Sequence, residues 1–235
     1  MSGWSSSPVG DLIDSMYAKP RFVNGWSAFS GTAAVADIGT WEFVTEVDSS
    51  SSNGETNEGH YFAQTSAASS GYEMFAVTGD EVSNRGMKFS TVAIQSLTVL
   101  TNFRFFIGYA RQPVTENTVS DVLSADDPAD AHLFGFQKRA ADSVWFACTR
   151  NGSTLSRVNT GVTVTTDVVK FLWHSDGSGV LKWAIRNFAN EDLGAGVHSA
   201  YLPGETTNMK FMSGLETTAA EAKVIRHYRA REYTE

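Results

Sequence analysis

Short runs of alternating apolar and polar residues, each closed by a polar or glycine-containing turn, constrain this chain more than any other feature. Over Thr40–Val47, residues Trp41, Phe43, Thr45 and Val47 fall on one side, and Glu42, Val44 and Glu46 on the other. Phe103, Phe105, Ile107 and Tyr109 repeat the pattern, as do Leu181, Trp183 and Ile185, which are opposed by Lys182 and Arg186. A period of two belongs to a β-strand, because successive side chains point to opposite faces. Lys88–Ile94, Leu133–Lys138, Ser143–Thr149, Val162–Val164, Val168–His174 and Met209–Leu215 complete the set of expected strands. Phe171–Ile185 predicts a hairpin, with two apolar strands flanking Asp176-Gly177-Ser178-Gly179. The glycines there supply the backbone freedom a tight turn needs. The expected fold is all-β, an antiparallel β-sandwich.

Composition supports this. Only 19% of residues are charged, whereas helix surfaces are usually rich in Glu and Lys. A chain of 235 residues can bury a substantial core as one sandwich. Asp48–Gly59 holds no apolar residue, and Gln112–Asp130 holds two prolines and several acids. Both read as loops that leave the core undivided. Residues 1–24 read as an N-terminal arm and residues 25–235 as the sandwich. Within the arm, Asp11–Tyr17 could make one short helical stretch that Pro20 closes. Trp4, Leu12, Ile13, Met16 and Tyr17 are too apolar for a free tail, and they are the candidate interaction residues. They either pack on their own sandwich or dock on a neighbouring subunit. Thr217–Glu232 carries helix formers, yet Ala222, Val224 and Arg226 alternate with Lys223, Ile225 and His227. A turn running into a final strand is the expectation.

Charge and cysteine content exclude several functions. The formal net charge is −8, and nucleic-acid binding needs clustered Lys and Arg to meet phosphates. Lys223, Arg226, Arg229 and Arg231 do gather near the C-terminus, but Glu221, Glu232 and Glu235 lie among them. That mixture reads as an exposed mixed-charge edge. Cys148 is the only cysteine, so no intrachain disulfide or Cys-based zinc site can form. It lies in an apolar run, where a buried inert thiol is expected, and the missing disulfide favours intracellular synthesis. Met1–Tyr17 lacks the basic start and apolar centre of a signal peptide. No run approaches the ~18 apolar residues of a membrane span, so a soluble protein is expected.

Catalytic patterns are also missing. Neither nucleotide-binding glycine fingerprint nor a Gly-x-Ser-x-Gly elbow occurs. His60, His132, His174, His198 and His227 are scattered without metal-ligand spacing. Glu46 and Asp48 share a strand face, as in sandwich glycosidases that align carboxylates as Glu-x-Asp-x-x-Glu, but the third position is Ser51. The pair reads as an exposed strand end. Asp126, Asp127 and Asp130 offer oxygen ligands for a hard cation, but in no defined calcium-loop spacing. A solvated acidic loop is the expectation there. Of the six tryptophans, Trp41, Trp145, Trp173 and Trp183 fall within expected strands and read as core, while Trp26, after Asn24-Gly25, is the least constrained and also reads as a core plug. Asn151-Gly152-Ser153 matches a glycosylation acceptor but reads as a turn. No enzymatic activity, cofactor or metal is expected.

The order of short motifs in the second half has a likeness. Phe103–Arg111 (FRFFIGYAR) is followed by the acidic loop, then Leu133–Phe136 (LFGF), Val144–Gly152 (VWFACTRNG) and Asn159–Val162 (NTGV). Val168–His174, Leu181–Ile185, the Tyr201–Pro203 turn and a closing Lys210–Tyr228 segment complete it. This layout, over about residues 85–230, resembles the concanavalin A-like (laminin-G-like) jelly roll as it occurs in virion proteins of tailed bacteriophages. The resemblance implies a non-enzymatic particle component of decoration, head-fibre or tail type, made in the host cytoplasm and carried on the virion. It further implies other virion proteins (the major capsid or a tail protein) as partners, and a symmetric homo-oligomer, trimers among them, gripped by arms and loops. Lectin-like members of the fold bind sugar through calcium-ordered loops, so a glycan-binding module for host attachment is the alternative. The chain has no Asp/Asn loop matching theirs.

Overall fold

The structure, a computed structural model, describes residues 21–27, 37–38, 41–45, 50–57, 59–71, 73–78, 82–83, 88–111, 123, 126, 132–152, 154–176, 179–203 and 208–234. Apart from Leu123, which is helical, the regular structure among them consists of strands. In chain order these are β1 (Arg21–Ser27), β2 (Asp37–Ile38), β3 (Trp41–Thr45), β4 (Ser50–Thr56), β5 (Gly59–Thr65) and β6 (Glu73–Thr78). Then come β7 (Val82–Ser83), β8 (Lys88–Leu97), β9 (Phe103–Arg111), β10 (His132–Lys138), β11 (Val144–Asn151) and β12 (Thr154–Thr163). The last five are β13 (Val169–Asp176), β14 (Leu181–Asn187), β15 (Asp192–His198), β16 (Asn208–Thr217) and β17 (Val224–Thr234).

These strands form two antiparallel sheets. The first runs β15-β14-β13-β8-β17-β5-β4, with β1 also on β17. The second runs β12-β11-β10-β9-β16-β6-β3-β2, with β7 also on β16. The chain passes from the first sheet to the second between β8 and β9, returns between β12 and β13, crosses again between β15 and β16, and returns between β16 and β17. The fold is an antiparallel β-sandwich.

Alternation selects what lies between the sheets. Phe103, Phe105, Ile107 and Tyr109 of β9 face inward, and with Phe134, Phe136, Trp145 and Phe211 they meet Phe171, Trp173, Trp183, Ile185 and Ile225 of the first sheet. Phe136 is central, with its ring 5.3 Å from Phe171, 5.1 Å from Trp173 and 5.7 Å from Trp183, the last edge-on. Offset and edge-on contacts suit the ring quadrupoles. Each fully buried large side chain contributes about 2–3 kcal/mol. Gly108 and Gly135 are direct partners in the β9–β10 register. A Cβ on Gly135 would stand 2.3 Å from the Ile107 carbonyl oxygen, so the two backbones touch where any side chain would part them.

A smaller cluster of Phe106, Ala110, Leu123, Leu133, Cys148 and Met212 lies on the other face of the second sheet. Its Leu123 comes from the connection expected to be a solvated acidic loop. Asp126 of the same connection is also tied down. Its carboxylate pairs with Arg104 at 3.0 Å, and its carbonyl accepts from Gln137 Nε2 at 3.2 Å and Arg139 Nε at 3.0 Å.

Several expectations need correction. Ser50–Thr56, inside the segment expected to be a loop, is β4, paired with β5 from Ser50↔Thr65 to Thr56↔Gly59. It is the edge strand of its sheet, and an edge needs no apolar run because backbone hydrogen bonds hold it on one side. The basic C-terminal segment is no exposed edge either. β17 lies inside the first sheet, between β8 on one side and β5 and β1 on the other. Lys223, just before it, is fully buried and paired with Glu221. The final strand after a turn and the Phe171–Ile185 hairpin are present as read.

Candidate binding surface

The large exposed apolar side chains among the described residues gather on one flank. They are Val158 on β12, Phe188 before β15, Leu193 and Val197 on β15, and Tyr201 just after it. β15 is the edge of the first sheet and β12 the edge of the second. The two edges close over each other. His198 Nε2 lies 2.9 Å from Ser156 Oγ, and the space beside Gly194 is filled by Val162 Cγ2 and the Thr160 carbonyl. Burial lowers the His198 pKa.

β15 inverts the usual pattern. Its inward positions are Gly194, Gly196 and the buried His198, and a Cβ on Gly196 would stand 2.6 Å from the Trp183 indole. The indole fills the space that side chains of β15 would otherwise occupy. Leu193, Ala195 and Val197 therefore face outward, with Leu193 47% and Val197 59% exposed. Asp192 at the strand start pairs with the buried Arg186 of β14 at 2.5 Å.

Tyr201 stands in the turn that carries the chain from the first sheet to the second. Its backbone is left-handed, with φ 53°, a conformation that costs a non-glycine residue about 1–2 kcal/mol. The neighbours hold it there. The Ala200 carbonyl accepts from Thr149 Oγ1 at 2.5 Å, Leu202 packs on the core and Pro203 is buried. The ring stays 51% exposed. It stands at the end of the sandwich where β9 and β11 finish and β10 and β12 begin.

A second feature lies inside. Ser213 Oγ donates to Gln95 Oε1 at 2.8 Å, Gln95 Nε2 lies 2.8 Å from His227 Nδ1, and His227 Nε2 lies 2.9 Å from Gln64 Oε1. Because the serine fixes the Gln95 amide, Nδ1 accepts and Nε2–H donates. This polar chain links β16 of the second sheet to β8, β17 and β5 of the first. Burial depresses the His227 pKa to about 3.

The residues singled out from sequence fare unevenly. Trp4, Leu12, Ile13, Met16 and Tyr17 lie outside the described residues, as do Glu46, Asp48, Asp127 and Asp130. Asp126 is held by Arg104. Trp145, Trp173 and Trp183 are core residues, whereas the side chains of Trp26 and Trp41 are not among those described. Cys148 is buried, its S–H donating to the Gly135 carbonyl, and burial pushes its pKa up to about 12. Among the described residues no three His, Cys, Asp or Glu side chains gather as a metal site. The β15 flank was missed because its glycines hide the strand. Tyr201 had a signal only in its Leu-Pro turn.

No protein-family model matches the sequence, and no curated protein matches it. The fold has likenesses among solved structures. A protein of unknown function from Shewanella oneidensis MR-1 superposes with a TM-score of 0.65 at 9% identity, over 100% of this chain and 97% of that one. Peanut lectin superposes with a TM-score of 0.58 at 11% identity, over 92% of this chain and 98% of the lectin. Ulex europaeus lectin II complexed with galactose gives 0.57 at 10% identity, over 90% and 98%. The sandwich therefore has the legume-lectin-like, concanavalin A-like arrangement expected from the sequence. At these identities the likeness concerns fold alone.

Proposed function

We propose that this chain is a non-catalytic carbohydrate-binding module that attaches to a surface glycan. Tyr201 is the observation that carries the reading. An aromatic ring half exposed at the end of a sandwich, on a turn fixed by Ala200, Leu202 and Pro203, offers a flat apolar face to the C–H side of a pyranose ring. The fold it shares with peanut lectin and with the galactose-complexed Ulex lectin supports the same reading. A shallow exposed platform of this kind binds weakly, near Kd ~1 mM, which corresponds to about −4 kcal/mol. The test is a glycan array followed by titration calorimetry on the sugars retained. Tyr201→Ala should weaken binding about tenfold, which is about 1.4 kcal/mol, with the melting temperature little changed. Failure to retain any glycan, or equal binding by the variant, would overturn the reading.

A second reading, a structural component of a phage particle contacting other virion proteins, draws on the motif resemblance. The apolar flank favours it, because exposed apolar surface gathered on one side marks contact sites. Mass spectrometry of purified particles decides it, since a virion component is present at fixed stoichiometry.

A further inference from the structure

We infer that β15 is a two-fold interface between copies of this chain, formed by antiparallel pairing of the strand with its own counterpart about Ala195. Three observations lead there. First, among the described residues β15 pairs with β14 alone, so its other edge presents unpaired backbone donors and acceptors. Secondly, apart from the bulge at Leu193 it lacks the usual protection of an edge. Leu193–Val197 carries no Lys, no Pro and no charge, and its side chains are apolar and outward. The bulge leaves Leu193 without a register partner on β14, between Ile185↔Gly194 and Arg186↔Asp192, so the irregularity is confined to one end of the strand and Gly194–His198 stay in regular register.

Thirdly, the strand is self-complementary. Leu193-Gly194-Ala195-Gly196-Val197 reads as large, Gly, Ala, Gly, large in both directions. A two-fold axis through Ala195 sets each Leu193 against the other copy's Val197, each Gly194 against Gly196, and Ala195 against itself. Such a symmetric pattern is what an isologous contact requires and what an unrelated partner does not. Asp192 would fall opposite His198, so the pairing brings no like charges together. The glycine side adds no steric barrier, because its inner face is already filled by Trp183 and Val162 of the same copy. Val158 on the neighbouring edge extends the apolar flank.

The test uses the full chain. Sedimentation equilibrium up to about 100 μM covers the dissociation constants of weak specific interfaces, and a dimer is expected. Leu193→Lys/Val197→Lys should be monomeric, with dimerisation weakened at least tenfold. Ala195→Cys supplies a second and independent readout. Directly opposed residues of an antiparallel pair have Cβ atoms about 4.5–5.5 Å apart, near disulfide reach. Mild oxidation should therefore give a covalent dimer, while buried Cys148 gives none in the parent chain. Should the double-lysine variant fail to fold, the Ala195→Cys cross-link decides alone. A monomer at every concentration would overturn the inference. So would a dimer that survives both lysines, or an Ala195→Cys protein that does not cross-link, since the contact would then lie elsewhere.

Discussion

Acidification should destabilise this protein through His227 before its carboxylates titrate. The imidazole is fully buried, accepts from Gln95 at Nδ1 and donates to Gln64 from Nε2. A proton added at Nδ1 would face the Gln95 amide, another donor, and Gln95 could turn only by giving up Ser213. Both bonded partners are neutral and burial disfavours the charged form, so the pKa sits at about 3 against ~6.5 in the unfolded chain. The unfolded state therefore binds the proton first. Stability is fully present above pH ~6.5 and falls as the pH drops toward 3, by about 1.4 kcal/mol per pH unit once below the unfolded value. At pH 5 the loss from this group is about 2 kcal/mol, a large part of the ~5–15 kcal/mol typical of a domain. The assay is urea denaturation at pH 7 and pH 5 for the parent chain and for His227→Gln, which keeps a neutral side chain but cannot take up a proton. The variant is less stable at pH 7, yet it should lose about 2 kcal/mol less between the two pH values. Equal losses in both proteins would refute the reasoning, because the acid sensitivity would then come from other groups.

Two further predictions concern the core. Gly135→Ala drives a Cβ against the Ile107 carbonyl and Gly108 Cα, neither of which can move without parting β9 from β10. A loss of at least ~2–3 kcal/mol is expected, read as a lowered denaturation midpoint, and an unchanged midpoint would contradict the close approach. Cys148 should resist a thiol reagent at pH 8 in the folded protein and react at once in denaturant, since burial holds its thiol protonated and out of reach. Rapid reaction in the native state would show that this part of the second sheet opens.

Much of the sandwich was legible because burial on one face writes itself into alternate residues. Phe103–Tyr109 and Leu181–Ile185 announced both strand and core face, since only the inward set must be apolar. β4 and β15 did not, for opposite reasons. The Ser50–Thr56 strand buries no apolar row and is held by its ladder to β5. β15 takes much of its inward volume from the Trp183 ring, which lies over Gly196, so two of its inward residues are glycines and the third is the polar His198. A strand whose core residues belong to its neighbour shows no inward pattern to read.

By itself the sequence determined an all-β sandwich, the clearest strands, the hairpin at Asp176–Gly179 and the inert buried thiol, all consequences of local periodicity, turn chemistry or residue count. Only the tertiary structure decided which strands are edges, since pairing partners lie far apart in the chain and edge and centre differ by what stands alongside. It also decided that Lys223 is buried, that Asp126 answers Arg104, and that His227, one of five scattered histidines, closes a polar chain between sheets. The one-sided gathering of Val158, Leu193, Val197 and Tyr201 belongs to the same class. Adjacency across a sandwich is a property of two sheets, and no single strand carries it.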